Sequence, residues 1–234
     1  DVVYNHTYRR DSWLERTVPG YYYRWKENGA PSNGSGCGND LATERSMCAK
    51  YILDSVLYWT EEYHMDGFRF DLMGLLDQEL MESIQNALDA EYGEGEKLIY
   101  GEPWRADNTH LSRSVVLCDK GSLKTIDGKI GAFCDDTRDA VKGSLMDLNA
   151  KGFVNGGGIH AYTLHHCLTG WAGCYGAFQT PYQTITYLSC HDDWTLWDKL
   201  VSTMDPKKNF TGCQRKILQA NRTKSCMMRI NLKW

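Results

Sequence analysis

The sequence has no run approaching the roughly 18 consecutive apolar residues that a membrane-spanning helix needs. No membrane-embedded role is expected. It has no basic surplus either: 26 Lys and Arg stand against 30 Asp and Glu, a net charge of -4, so nothing in its charge suggests nucleic acid. There is no C-x-x-C pair, and the nine cysteines are odd in number, which fits free thiols better than a zinc site or a disulfide framework. The glycine-rich stretch from Ser32 to Asp40 has no Lys-Ser/Thr after it and does not join a strand directly to a helix, so it is not read as a phosphate loop. Neither a signal peptide nor an initiator Met opens the chain, and further sequence is expected upstream of Asp1. The expected location is cytoplasmic, with secretion as the alternative.

What is present points to a globular α/β protein. The 234 residues are 42% hydrophobic and 12% aromatic, enough apolar mass for a core. The organising stretch is Met65-Asp66-Gly67-Phe68-Arg69-Phe70-Asp71-Leu72-Met73, read as a short buried strand that ends by presenting charge. With a side-chain period of two, Arg69 and Asp71 share one side and Phe68 and Phe70 the other. An arginine two residues from a carboxylate favours its ionised form, and an ionised carboxylate at a strand end can act as a nucleophile.

Around this strand the pattern alternates. Asp1 to His6 reads as a strand, Thr43 to Tyr63 as a helix with Thr43 as its cap, and Leu75 to Tyr92 as a helix stopped by Gly93. Within the second helix Leu76, Leu80, Ile84 and Leu88 recur every four residues. Lys97 to Glu102 is a further strand, Ile130 to Cys134 a weaker one leading to a helix over 137–145, and Thr184 to Cys190 a clear one. The segment from Gly156 to Trp171 is read as a long connection, and helices are expected over 195–201 and 211–220. Strand, helix, strand in this order predicts a parallel sheet.

Three carboxylates, Asp71, Glu102 and Asp192, thus stand at the ends of three strands, with His6, Arg69 and His191 beside them. Retaining glycoside hydrolysis uses such a set: a nucleophile, an acid that later serves as base, and groups that orient sugar hydroxyls. Pro103 and Trp104 flank Glu102 with apolar surface expected to favour its protonated form.

Four segments carry a resemblance: Asp1-Val2-Val3-Tyr4-Asn5-His6, Asp66-Gly67-Phe68-Arg69-Phe70-Asp71, Tyr100-Gly101-Glu102-Pro103-Trp104 and Tyr187-Leu188-Ser189-Cys190-His191-Asp192-Asp193. In order and spacing they resemble the signature regions of the α-amylase superfamily, family thirteen of the glycoside hydrolases. Tyr21-Tyr22-Tyr23-Arg24, Ser32 to Asp40, Asp71-Leu72-Met73-Gly74 and Gly101-Glu102-Pro103-Trp104 resemble the type I pullulanases within it.

The resemblance implies a partial (β/α)8 barrel, strands three to seven with long active-site loops, over residues 1–220, and a divergent tail over 221–234. It implies Asp71 as nucleophile, Glu102 as general acid and base, and Asp192 as the holder of the distorted sugar. Arg69 would pair with Asp71, while His6, His191 and Trp104 would contact the sugar. The implied activity is cleavage of α-1,6 bonds in pullulan, branched starch or limit dextrins. An isoamylase-like or α-1,4-acting relative and an inactive glucan-binding fragment are the alternatives. No cofactor is required and a structural calcium stays open; the expected partner is an α-glucan. Asp193 departs from the family's usual Asn and adds charge, and the chain alone is expected to lack debranching activity.

Overall fold

A computed structural model describes residues 1–173 and 177–204. The chain divides into two compact units, Asp1–Ala132 and Phe133–Trp234. In the first, β1 (Gly67–Phe70) and β2 (Leu98–Gly101) pair in parallel, Gly67 opposite Leu98 and Phe70 opposite Gly101. On its other side β2 meets β3 (Gly131–Phe133), again in parallel, with Tyr100 opposite Gly131. This is the mixed α/β architecture with a parallel sheet that the alternation predicts.

The N-terminal segment runs beside β1 as a single bridge, Val2 to Phe70, and is not a full strand. Val2 N–H donates to the Arg69 carbonyl and Asp71 N–H to the Val2 carbonyl, which fixes the segment at the level of the catalytic candidates. A short helix, α1 (Trp13–Thr17), lies in the excursion that follows. Its brevity hides it from periodicity.

Helix α2 (Ser46–Tyr63) begins three residues later than the pattern suggests. Thr43 does not cap it: its hydroxyl instead accepts from the Arg24 guanidinium and the Asp77 N–H. The buried stripe of α2 is Cys48, Ile52, Val56 and Thr60, four apart, while Trp59 and Tyr63 stand on the exposed side. Helix α3 (Gln78–Tyr92) is capped by Asp77, whose Oδ1 accepts the Leu80 N–H. A 3-10 turn over Met73–Leu75 precedes it, so the expected start at Leu75 falls in that turn. Leu76, Leu80, Ile84 and Leu88 are all buried as the four-residue spacing requires, and Gly93 ends the helix with φ +106°, a value unfavourable to any side chain.

The second unit contains α4 (Asp135–Lys142), α5 (Ala161–Leu168), the two-residue strand β4 (Thr184–Ile185) and α6 (Leu196–Thr203). Its core joins Val141, Val154, Cys167, Leu188, Leu196 and Leu200. Two expectations are corrected. The segment after Gly156 is not only a connection, because α5 occupies it; the strand at Thr184 stops at Ile185, and Thr186, Tyr187 and Leu188 are buried without ladder pairing. Their apolar and β-branched content is spent on core packing. Thr195 caps α6 in a capping box with Asp198. The helix expected over 211–220 lies outside the described residues.

Candidate active site

The site in the first unit follows from strand register. Because Phe70 pairs with Gly101, the next residues, Asp71 and Glu102, leave the sheet at the same level on neighbouring strands. Adjacent strands run about 4.8 Å apart. The two carboxyl groups therefore emerge side by side, although they are far apart in sequence.

Arg69 bridges them. Its Nη1 donates to Asp71 Oδ1 at 3.0 Å and to Asp1 Oδ1 at 2.9 Å, and its Nη2 donates to Glu102 Oε1. Arg69 and Glu102 are buried, whereas Asp71 is half-buried and accessible to a reacting atom. A buried guanidinium shared among carboxylates is held by geometry that one-sided substitution would leave uncompensated.

Asp71 has a second anchor, which the sequence reading passed over. Asn5, fully buried, donates from Nδ2 to both Asp71 Oδ2 and the Asp71 carbonyl, each at 2.9 Å. The same Asn5 meets His6 Nδ1 through its Oδ1, so His6 is oriented from behind. An asparagine in a strand-end Asn-His pair is the sequence signal that could have drawn attention to it.

Glu102 is anchored in its turn. Its partners are donors on both oxygens: Arg69 on Oε1 and the Leu72 N–H on Oε2 at 2.9 Å. Trp104 is half-buried and its backbone lies against Gly74.

Behind the site the glycine-rich stretch is a hydrogen-bonded hub. Asp40, fully buried, accepts at Oδ2 from Ser32 Oγ at 2.7 Å, Gly34 N–H at 2.6 Å and Thr109 Oγ1 at 2.8 Å, and at Oδ1 from Ser35 N–H at 3.1 Å. Burial alone would push this carboxyl up; the four donors outweigh it and hold it below the ordinary carboxylate value. Asp40 also forms a bridge to His6. Next to it, Arg24 and Glu44 form an ion pair at 2.9 Å with both side chains fully buried. Burial raises the Glu44 carboxyl, but Arg24 and the Ser112 N–H together lower it. The aromatic run at Tyr21 is thus packing surface around a buried arginine: Tyr23 is fully enclosed.

His191 and Asp192 belong to the second unit, on an exposed turn after Leu188. Asp193 there takes a left-handed backbone, φ +57°, which asparagine and aspartate tolerate better than most residues. The Trp194 carbonyl accepts from Lys142 Nζ at 2.7 Å, tying the turn to α4.

Comparisons with known proteins bear on the chain as a whole. No family model matches the chain. A pullulanase of Bacillus subtilis (strain 168) is 42% identical over 216 residues, 89% of this chain and 29% of that enzyme. Pullulanase A of Streptococcus pneumoniae is 31% identical over 94% of this chain and 17% of its own length. Among solved structures, type I pullulanase of B. subtilis complexed with maltose superimposes with a TM-score of 0.86 at 39% identity, covering 95% of this chain and 31% of that one. The chain matches a stretch of the pullulanases of the α-amylase superfamily. A Paenibacillus barengoltzii pullulanase complexed with maltohexaose and α-cyclodextrin gives the same score at 36% identity, covering 95% of this chain. The chain spans about a third or less of the length of the pullulanases it matches.

Proposed function

We propose that this chain carries the catalytic carboxylates of a retaining α-1,6-glucan debranching hydrolase, and that its parallel sheet is strands three to seven of a (β/α)8 barrel. The observation that carries the reading is the single guanidinium of Arg69 shared by Asp71 and Glu102 at the ends of neighbouring parallel strands. Support also comes from the pullulanase relatives and from the sugars bound in their structures.

Asp71 attacks the anomeric carbon and forms a glycosyl ester, while Glu102, protonated at that stage, gives its proton to the departing glycosidic oxygen. After this step Asp71 has lost its charge in the ester and Glu102 has become a carboxylate. Arg69, between them, then keeps its bond to Glu102 and holds it ionised for its second task, taking a proton from water as the ester is hydrolysed. One cation thereby serves whichever carboxylate is charged. Asp192 fixes sugar hydroxyls in the distorted ring, His6 and His191 bond the same sugar, and Trp104 offers it a face. The reaction needs no cofactor.

The test is product analysis with the full polypeptide that carries this chain. Pullulan should yield maltotriose units whose new reducing ends first appear in the α configuration, and Asp71→Asn should abolish turnover while substrate binding stays within a few-fold. First-formed β products would exclude the ester route. Rapid release of small products from amylose would move the assignment to an α-1,4-acting relative.

A further inference from the structure

The residues after the nucleophile adopt a conformation that the mechanism so far does not explain. Leu72 has φ 39° and ψ 50°, left-handed backbone that a non-glycine residue adopts against steric resistance. Its amide points at Glu102 Oε2, 2.9 Å away. The 3-10 turn Met73–Leu75 follows at once, and Gly74 N–H donates to the Glu102 carbonyl at 2.9 Å. Gly74 is seated directly on the next residues of that strand end: a Cβ there would lie 2.6 Å from the Trp104 carbonyl oxygen and 2.8 Å from its nitrogen. Backbone strain held in place by surrounding contacts is a mark of functional geometry.

We propose that the turn Leu72-Met73-Gly74 is a positioning element for the acid/base, using the Leu72 amide to fix Oε2 of Glu102 and the bare face of Gly74 to set the distance between the turn and the Glu102-Pro103-Trp104 backbone. The proposal rests on the reading of Glu102 as general acid and base. Three facts converge on it. The Leu72 N–H points at the neighbouring strand end, and the strained φ and ψ of Leu72 turn the chain straight afterwards into the 3-10 turn that carries Gly74. The two donors to Glu102 take different oxygens, so the plane of the carboxyl is fixed as well as its position. Finally, the turn grips Glu102 twice, by side chain and by carbonyl, and no side chain longer than hydrogen fits between them. Leu72 and Gly74 are positioning residues: neither is required to touch the sugar. The consequence is that nucleophile and acid/base are set by one continuous piece of backbone, and a shift of the turn misplaces Glu102 before it misplaces Asp71.

The decisive perturbation removes one hydrogen. Replacing Leu72 by its α-hydroxy acid in the full polypeptide turns the amide into an ester, which keeps the side chain and deletes the N–H. A general acid out of place harms substrates with poor leaving groups, whereas α-maltosyl fluoride needs no proton to depart. The expected result is that kcat/KM for pullulan falls about 10- to 100-fold while kcat/KM for the fluoride changes less than about threefold. The alkaline limb of the pullulan profile should also move to higher pH, because a donor to the charged form has been lost. Gly74→Ala should show the same leaving-group split. Equal losses on both substrates with an unmoved alkaline limb would overturn the proposal and make the turn a support of the fold alone. Glu102→Gln measured alongside separates the two readings. If that variant itself shows no leaving-group dependence, the role of Glu102 is wrong. If it shows one and the ester does not, the role of the turn is wrong.

Discussion

Replacing Asp40 by Asn changes one oxygen to a nitrogen in a fully buried side chain and asks how much the hub behind the site depends on charge. Asp40 Oδ2 accepts three hydrogen bonds and Oδ1 accepts one from the Ser35 N–H. The amide oxygen of Asn can take the threefold position. Its NH2 group must then face the Ser35 N–H, donor against donor. Three charge-assisted bonds become neutral ones, about 1 kcal/mol weaker each, and two donors are left unsatisfied at about 1–3 kcal/mol. Part of this is offset because a neutral amide is easier to bury than a carboxylate. A net loss of about 2–4 kcal/mol is expected, read as a lower midpoint in equilibrium urea unfolding at pH 7. The control is Asp54→Asn, which breaks an exposed pair with Lys50 and should shift stability by less than about 0.5 kcal/mol. Acid supplies a second arm. Asp40 titrates lower folded than unfolded, so its contribution is complete above the unfolded value near 3.9 and is lost as pH falls through the folded one. The gap between parent and variant should close as that happens. A variant within about 0.5 kcal/mol of the parent at pH 7 would refute the reasoning.

Two further outcomes follow from buried charge. Arg24→Met leaves Glu44 buried without its cation and should destabilise by about 3–5 kcal/mol, and adding Glu44→Leu should restore much of the loss; urea midpoints of the single and double variants check this, and an undiminished loss in the double variant would count against it. In the second unit, burial, with Arg138 nearby, pulls the Lys142 ammonium down to about 8. Between pH 8 and about 10 the unfolded chain holds more protons on this residue than the folded one, so stability gains with pH there. Lys142→Met should remove that gain, seen by comparing urea midpoints of parent and variant at pH 7.5 and 9.5.

Much of the site was legible because it is written in short segments. A side-chain period of two is enough to put Arg69 and Asp71 on one side of β1, and their 3.0 Å contact follows from it. The four-residue spacing of Leu80, Ile84 and Leu88 identifies the buried face of α3, since that geometry is local to the helix, and Leu76, just before the Asp77 cap, is buried as well. In α2, by contrast, Met47, Trp59 and Tyr63 are apolar yet exposed: hydrophobic character alone does not say which of several faces a neighbouring helix covers. The same logic overextended β4, because buried β-branched residues look alike whether they pair in a ladder or fill a core.

The sequence by itself determined which residues are candidates for the chemistry and their order along the chain, because strand periodicity and residue type act over a few positions. Only the tertiary structure decided that Arg69 reaches Glu102 as well as Asp71, since that depends on pairing Phe70 with Gly101 across a register no local pattern encodes. It also decided that Asn5 anchors Asp71, that Asp40 gathers four donors from the Ser32–Ser35 stretch and Thr109, and that Leu72 is left-handed with its amide on Glu102. Each of these joins groups far apart in sequence or bends the backbone against its own preference. Such arrangements persist only when the packed surroundings hold them, and packing is a property of the whole fold.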